Sequence, residues 1–459
     1  MSERKQKRGC WSKVGLTSLI FLTVVLSVLA IAYSRTDLGS AAADYEKNRA
    51  TAEKVGLFFT KEQADVLFKV PEEDNGAKLM KFAKVKEIGV PDYLTDDEIA
   101  VRKQLIEEYV QTLEAAANRK YLISAKSSAD LTFVFGSETK NAVKLLSRMT
   151  KYSSDHGDKE GCKRYLRIAT RLTNGAGDDK DEIPILIRIA CAAITEARLQ
   201  GMIPKFANDP EWLAIIEASL KDLDKPYDLL TVVKLQHLQS LEYADIIKKE
   251  SIPVKEIFRS DSELPLSMRL NRFLPRYQPA IRSRIHEYFG NLGALLPADP
   301  YDWNQMQKAG QFSTDFLNRK GWSYEALMTA EFDGMIRAVW KQISSRNALM
   351  QAVEILKSKA DPAKGLPLLG RYHLDLDGKP LRIKHLDKGW IVYSIWDKTD
   401  DGGMDLKKGH GDFVVHLSMA TAPHEIAPRG QKFLNPGLPS PSGGPAPPKF
   451  STPGQGEPE

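Results

Sequence analysis

The chain has 459 residues, 42% of them apolar and 27% charged, with a net charge of +5. That length buries one large core or two moderate ones. Acids and bases are interspersed along it, so no domain-wide basic field marks a nucleic-acid binder.

Residues 1–13, MSERKQKRGCWSK, carry Arg4, Lys5, Lys7, Arg8 and Lys13 against one acid, Glu3. Residues 14–33, VGLTSLIFLTVVLSVLAIAY, hold no charge, and twelve of them are Leu, Ile, Val or Phe. As a helix this run is about 30 Å long, the thickness of a bilayer's hydrocarbon core. Its apolar residues contribute on the order of −4 to −7 kcal/mol to insertion. The expectation is a single-pass inner-membrane protein, with the basic tail cytoplasmic, the bilayer held by 14–33, and the bulk of the chain extracytoplasmic. The competing reading is a cleaved signal peptide with Ala30-Ile31-Ala32 as its small-x-small site, although secretory apolar regions usually run to about 7–15 residues. Cys10 precedes the apolar run, so it is not a lipoprotein cysteine.

Residues 34–94 form a mixed, polar, membrane-proximal segment with a helical stretch around 41–56. A helical domain is expected over 95–322. It opens on a capping box, Thr95 to Glu98, that starts a helix through about Lys120, with Ile99, Leu105, Ile106, Val110 and Leu113 near helical spacing. Residues 121–136 are ambiguous. A helical hairpin follows, 156–172 and 183–200, around a loop at 174–182, with Pro184 tolerated in the first turn of its second arm. Further helices are expected at Pro210–Leu223, at 226–249, at 264–296 with interruptions at Pro275 and Pro279, and after Asp299-Pro300. From 323 to 420 the pattern is a long helix, 323–359, then period-2 alternation. Strands are expected at 380–386, 389–396 and 411–417, the first two joined by a tight turn at Asp387-Lys388-Gly389. An isolated hairpin is marginal, so this sheet must lean on the long helix. Residues 421–459 hold ten of the 25 prolines, all from 423 onward, and cannot build a core; disorder is expected there. The fold class is therefore mainly α, with a small C-terminal antiparallel β-module packed on a long helix.

Two stretches carry resemblances. The hairpin, with its Gly-Asp start, small residues at Gly161 and Ala169 and short turn, resembles a tetratricopeptide-type hairpin. One copy is present, whereas a solenoid takes about three. Residues 378–403, GKPLRIKHLDKGWIVYSIWDKTDDGG, resemble the C-terminal signature of a planctomycete-type family of bacterial membrane-anchored helical proteins, whose central helices the hairpin also resembles. That signature in turn is similar to the C-terminal β region of type II secretion major pseudopilins, where a long helix packs on a small sheet and an Asp-containing loop binds calcium. Three departures stand out. DLDG replaces the Asp-Pro before the signature, DPAKGLPLLG follows the long helix, and no prepilin-peptidase site precedes the apolar run. The resemblance implies architecture and location, with envelope or secretion-system proteins as partners, and no reaction.

Four acids, Asp397, Asp400, Asp401 and Asp405, lie in DKTDDGGMD with Gly402 and Gly403. Calcium takes six to eight oxygens, which such a loop supplies, though not at EF-hand spacing. The other reading is a solvated turn. Cys162 and Cys191 sit on the two arms of the hairpin. Folding it about residue 178 puts facing cysteines at Cα separations of about 5.6–7 Å, against roughly 4.4–6.8 Å for a disulfide. A bridge there would contribute about 3–4 kcal/mol; the alternative is two small buried residues. His410, Asp412 and His416 share a strand face as an incomplete metal set. Trp390 and Trp396 fall on one face of their strand and Tyr393 on the other, and sheet core against the long helix is their expected use. There is no H-E-x-x-H, G-x-S-x-G or G-x-x-x-x-G-K-[ST] motif, and no catalytic or cofactor residue is assigned. The expected function is a membrane-anchored interaction or scaffold protein of the cell envelope; the alternative is an envelope hydrolase with its site in the helical domain.

Overall fold

The structure, a computed structural model, describes residues 37–80, 88, 91, 94–125, 127, 136–250, 277–299, 301–320, 332–365, 370–395, 400, 402–403 and 412–419. The apolar run 14–33, Cys10, the Pro-rich tail 421–459 and the expected helical stretches 264–276 and 323–331 lie outside them. Among the described residues there are fourteen α-helices and one three-stranded antiparallel sheet. No helix among them is long and apolar enough to cross a membrane.

The chain opens with α1 (Asp37–Ala43) and α2 (Tyr45–Val55), the latter closed by Gly56 in the left-handed conformation at φ +72°. Short helices α3 (Lys61–Asp65) and α4 (Ala77–Met80) follow. The Thr95 capping box forms as expected: Glu98 N–H donates to Thr95 Oγ1 at 3.2 Å and Thr95 N–H to Glu98 Oε2 at 2.8 Å. The single helix read from it is two, α5 (Asp96–Val101) and α6 (Lys103–Ala117). The break is at Arg102, where the backbone leaves helical geometry and the guanidinium donates to the Ile88 carbonyl.

Helix α7 (Gly136–Asp155) has no counterpart among the expected helices. Its apolar stripe, Ala142, Val143, Leu145, Leu146 and Met149, is diluted by buried Ser and Thr. The hairpin α8 (Lys159–Gly175) and α9 (Glu182–Lys205) packs against it. Helix α9 runs past Gly201 and includes Pro204, because Met202, Ile203 and Pro204 are all buried and packing outweighs local propensity. Then come α10 (Pro210–Leu223), capped by Asp209, α11 (Leu229–Glu250), α12 (Tyr277–Leu295), α13 (Trp303–Lys320) and α14 (Phe332–Ser358). Helix α2 lies close along α12: a Cβ on Gly290 would stand 3.1 Å from the Ala52 nitrogen.

Helix α14 is the axis of the molecule. Every residue from Gln342 to Val353 is buried, so this stretch has no solvated face. Its first half shares an apolar cluster with α2, α11, α12 and α13. Its second half shares another with α8, α9, α10 and the sheet. The sheet order is β1 (Arg382–Leu386), β2 (Gly389–Ser394), β3 (Phe413–His416), with Leu386 paired to Gly389 across a two-residue turn. Val392, Phe413, Val415 and Trp390 face α14, while Ile391, Tyr393 and Val414 form a small cluster on the opposite face. Trp390 thus does what strand parity predicted, whereas Tyr393 packs away from the long helix; Trp396 is outside the described residues. The outer edge of β3 is met by α9, whose Gln200 Nε2 donates to the Val414 carbonyl at 2.5 Å.

Candidate functional site

A helix buried all round must find partners for its polar side chains inside the protein. On α14 the largest of these is Arg346, 1% exposed. Its Nε donates to Glu196 Oε1 of α9 at 3.0 Å, and its Nη1 to Asp224 Oδ1 at 3.2 Å. Asp224 stands just past the end of α10 and receives more: the Tyr372 hydroxyl at 2.7 Å, the Tyr301 hydroxyl and an Nη2 of Arg371. Arg371 also stacks on Tyr301, 4.2 Å from its ring centroid. Two acids thus meet two guanidiniums at the junction of α9, α10, α14 and the 3-10 turn Gly370–His373 that leads into the β-module. Nearby, Arg188 packs 4.1 Å from the Tyr227 ring centroid and donates to the Pro226 carbonyl at 2.9 Å, pinning the turn after Asp224. Burial pushes the Glu196 carboxyl up to about 7, against the opposing pull of Arg346. Burial also opposes the Arg346 charge, but Glu196, Tyr227 and Asp224 outweigh it and hold its pKa above the usual range. An acid near neutrality suits proton transfer. Glu196 is 2% exposed, however, so here its chemistry is directed at Arg346 and the fold.

A second buried polar pair joins α11, α12 and the segment after α2. His237 Nδ1 lies 2.8 Å from the Phe58 carbonyl, and His237 Nε2 lies 2.9 Å from His286 Nδ1. A carbonyl only accepts, so His237 carries its proton on Nδ1 and accepts at Nε2, and His286 donates from Nδ1. Phe59 and Tyr45 pack against the pair. Burial lowers His237 to about 4, and burial with neighbouring positive groups lowers His286 to about 3. The folded protein therefore keeps both rings neutral, while the unfolded chain protonates them near 6.5. Stability is complete above pH 6.5 and declines as pH falls, because the unfolded state then binds more protons. Acidification from pH 6.5 to about 4 is expected to cost roughly 3 kcal/mol through His237 alone. Urea melts across that range check it: the double variant His237→Gln/His286→Gln should show a flatter dependence on pH than the wild type.

A cavity of about 30 Å³, room for one water, lies between α4, α7 and the α8–α9 loop. Asp179 lines it, accepting from Ser124 Oγ at 2.6 Å, Ser124 N–H at 2.8 Å and Ala125 N–H at 3.1 Å. The hairpin loop that reads as a polar connection thereby fastens the extended stretch 121–125 to the body.

The residues singled out from sequence fare differently. Asp397, Asp401, Asp405 and His410 lie outside the described residues. Asp400 has both carboxylate oxygens engaged, Oδ2 by Arg382 Nε and Oδ1 by Gly402 N–H, each at 2.9 Å. Asp412 accepts from Gly403 N–H at 2.8 Å, and His416 pairs across the sheet with Ile391. Cys162 and Cys191 are free, buried thiols. No bridge joins them because their side chains enter different clusters: Cys162 that of α9, α10 and α14, and Cys191 that of α6 and α7. Burial raises both thiols to about 12, which makes them unreactive. No group of three or more His, Cys, Asp or Glu among the described residues is placed to hold a metal. Sequence reasoning missed Glu196, Asp224, His237, His286 and Arg346. The available signal was α14 itself, whose polar residues follow no single face. No family model, no curated protein and no solved structure matches the chain.

Proposed function

We propose that this is a membrane-anchored interaction protein of the bacterial cell envelope, held in the inner membrane by 14–33 with its bulk outside. The observation that carries the reading is the charge-free run of twenty residues behind a cationic tail. The body fits such a role. One buried helix, α14, belongs to the core of both the helical body and the β-module, so the two present a single rigid surface to a partner. The tetratricopeptide-like hairpin α8–α9 and the pseudopilin-like pairing of a long helix with a small sheet favour partners in the envelope or the secretion apparatus. The test is a C-terminal reporter fusion combined with crosslinking pull-down from membranes. Expected are a membrane-bound protein, a reporter active outside the cytoplasm and the same partner in every replicate; a reporter active in the cytosol alone overturns the reading. A second reading, an envelope hydrolase, is favoured by the carboxyl of Glu196 near 7. The deep burial of that carboxyl sets it behind the first.

A further inference from the structure

The resemblance of 378–403 to pseudopilins implies a calcium-binding loop, and the described residues around Asp400 do not fit one. We propose that Arg382 is an internal counter-ion that takes the place of a divalent cation at Asp400, clasping that carboxylate to the β-module so that the order of Asp400, Gly402 and Gly403 does not depend on calcium.

Three carboxylates, two from the loop before β1 and one from beyond β2, converge on this one guanidinium, and each uses a different nitrogen. Nε donates to Asp400 Oδ2 at 2.9 Å, Nη2 to Asp377 Oδ2 at 2.7 Å, and Nη1 to Asp375 Oδ2. The remaining oxygens are also engaged. Asp400 Oδ1 accepts from Gly402 N–H at 2.9 Å and Asp377 Oδ1 from Lys379 N–H at 3.1 Å. Asp375 Oδ1 accepts from Ser344 Oγ at 2.9 Å and Ser394 Oγ at 2.5 Å. Calcium needs six to eight oxygens around it, so a cation entering here would first have to expel the guanidinium. Two further cations stand beside the guanidinium: Lys379 Nζ lies 3.9 Å from Asp377, and Lys384 Nζ donates to the Gly402 carbonyl at 2.5 Å.

The clasp also explains the two glycines. Gly402 and Gly403 sit at φ +76° and +74°, a conformation that costs glycine little. Gly403 lies on the outer face of the sheet, where a Cβ would stand 2.8 Å from the Ile391 side chain and 3.2 Å from Tyr393. Its N–H is held by Asp412. Gly403 thus sits against Ile391 and Tyr393 on the face that α14 leaves open. Arg382 ties it through Asp375 and Ser344 to the central helix. A planar guanidinium has donors along several edges and spans three carboxylates, as a lysine ammonium cannot in the same geometry.

The test uses the full chain purified in detergent. It reads the melting temperature and the amide exchange of the Gly402–Gly403 peptide, each with calcium and with chelator. For the wild type both should be the same in the two conditions. Arg382→Gln should speed exchange of that peptide by about tenfold or more. Arg382→Lys, which keeps the charge and loses the fork, should fall between, and it serves if the glutamine variant does not fold. A calcium-dependent rise in wild-type melting temperature, or slower wild-type exchange with calcium, overturns the proposal in favour of a metal site. Exchange at the wild-type rate in the substituted protein overturns it as well.

Discussion

Replacing Arg346 with Met should lower the free energy of unfolding by about 3–5 kcal/mol, the cost of leaving buried acids without their counter-charge. Glu196 and Asp224 are 2% and 9% exposed, so neither regains water when the guanidinium goes. Asp224 retains Arg371 and two tyrosine hydroxyls, whereas Glu196 loses its charged partner, and most of the damage should fall on it. A protonated Glu196 is the way out, so the variant should lose less stability in mild acid than at neutral pH. The double variant Arg346→Met/Glu196→Met removes both charges and should recover much of the loss, because a buried ion pair replaced by apolar groups of similar volume is often close to neutral. Urea unfolding of Arg346→Met, Glu196→Met and the double variant gives the coupling energy directly. A single Arg346→Met variant as stable as the wild type would show that the cluster contributes nothing to the fold.

Asp375→Ala should cost about 4 kcal/mol, since several donors lose one shared acceptor. The carboxylate is fully buried and accepts from Ser344 of α14, Ser394 of β2, the N–H groups of Leu376 and Ile395, and Arg382. It is the polar joint between the central helix and the sheet. The loss should be local before it is global: amide exchange at Arg382–Leu386 and Gly389–Ser394 should rise at urea concentrations where α7 and α8 remain protected. Asp375→Asn keeps one accepting oxygen but not the charge that holds Arg382, so it should fall between the wild type and the alanine variant. Uniform loss of protection across all helices would contradict the role of a joint.

How much of this was readable in advance depends on the reach of the interaction. The Thr95–Glu98 capping box, the Asp209-Pro210 helix start, the Asp387-Lys388 hairpin turn and the split of Trp390 from Tyr393 all rest on residues within a few positions of one another. Each is present in the structure. Where packing competes with local preference, the boundaries moved: α9 continues through Gly201 and Pro204, and α7 emerges from a stretch whose apolar stripe is diluted by buried Ser and Thr.

Taken alone, the sequence determined the helical class of the chain, the place of the sheet at its C-terminal end, and the order of most helices, because caps, turns and hydrophobic periods act over one or two turns of chain. Tertiary structure alone decided that Arg346 meets Glu196, 150 positions away, and Asp224, 122 away, that His237 meets His286, and that Cys162 and Cys191 part company. A charged residue in a helix reads as solvated until its surroundings are known. Only when the stretch of α14 around Arg346 is enclosed on every side does the cost of burying a charge require partners from such distant parts of the chain.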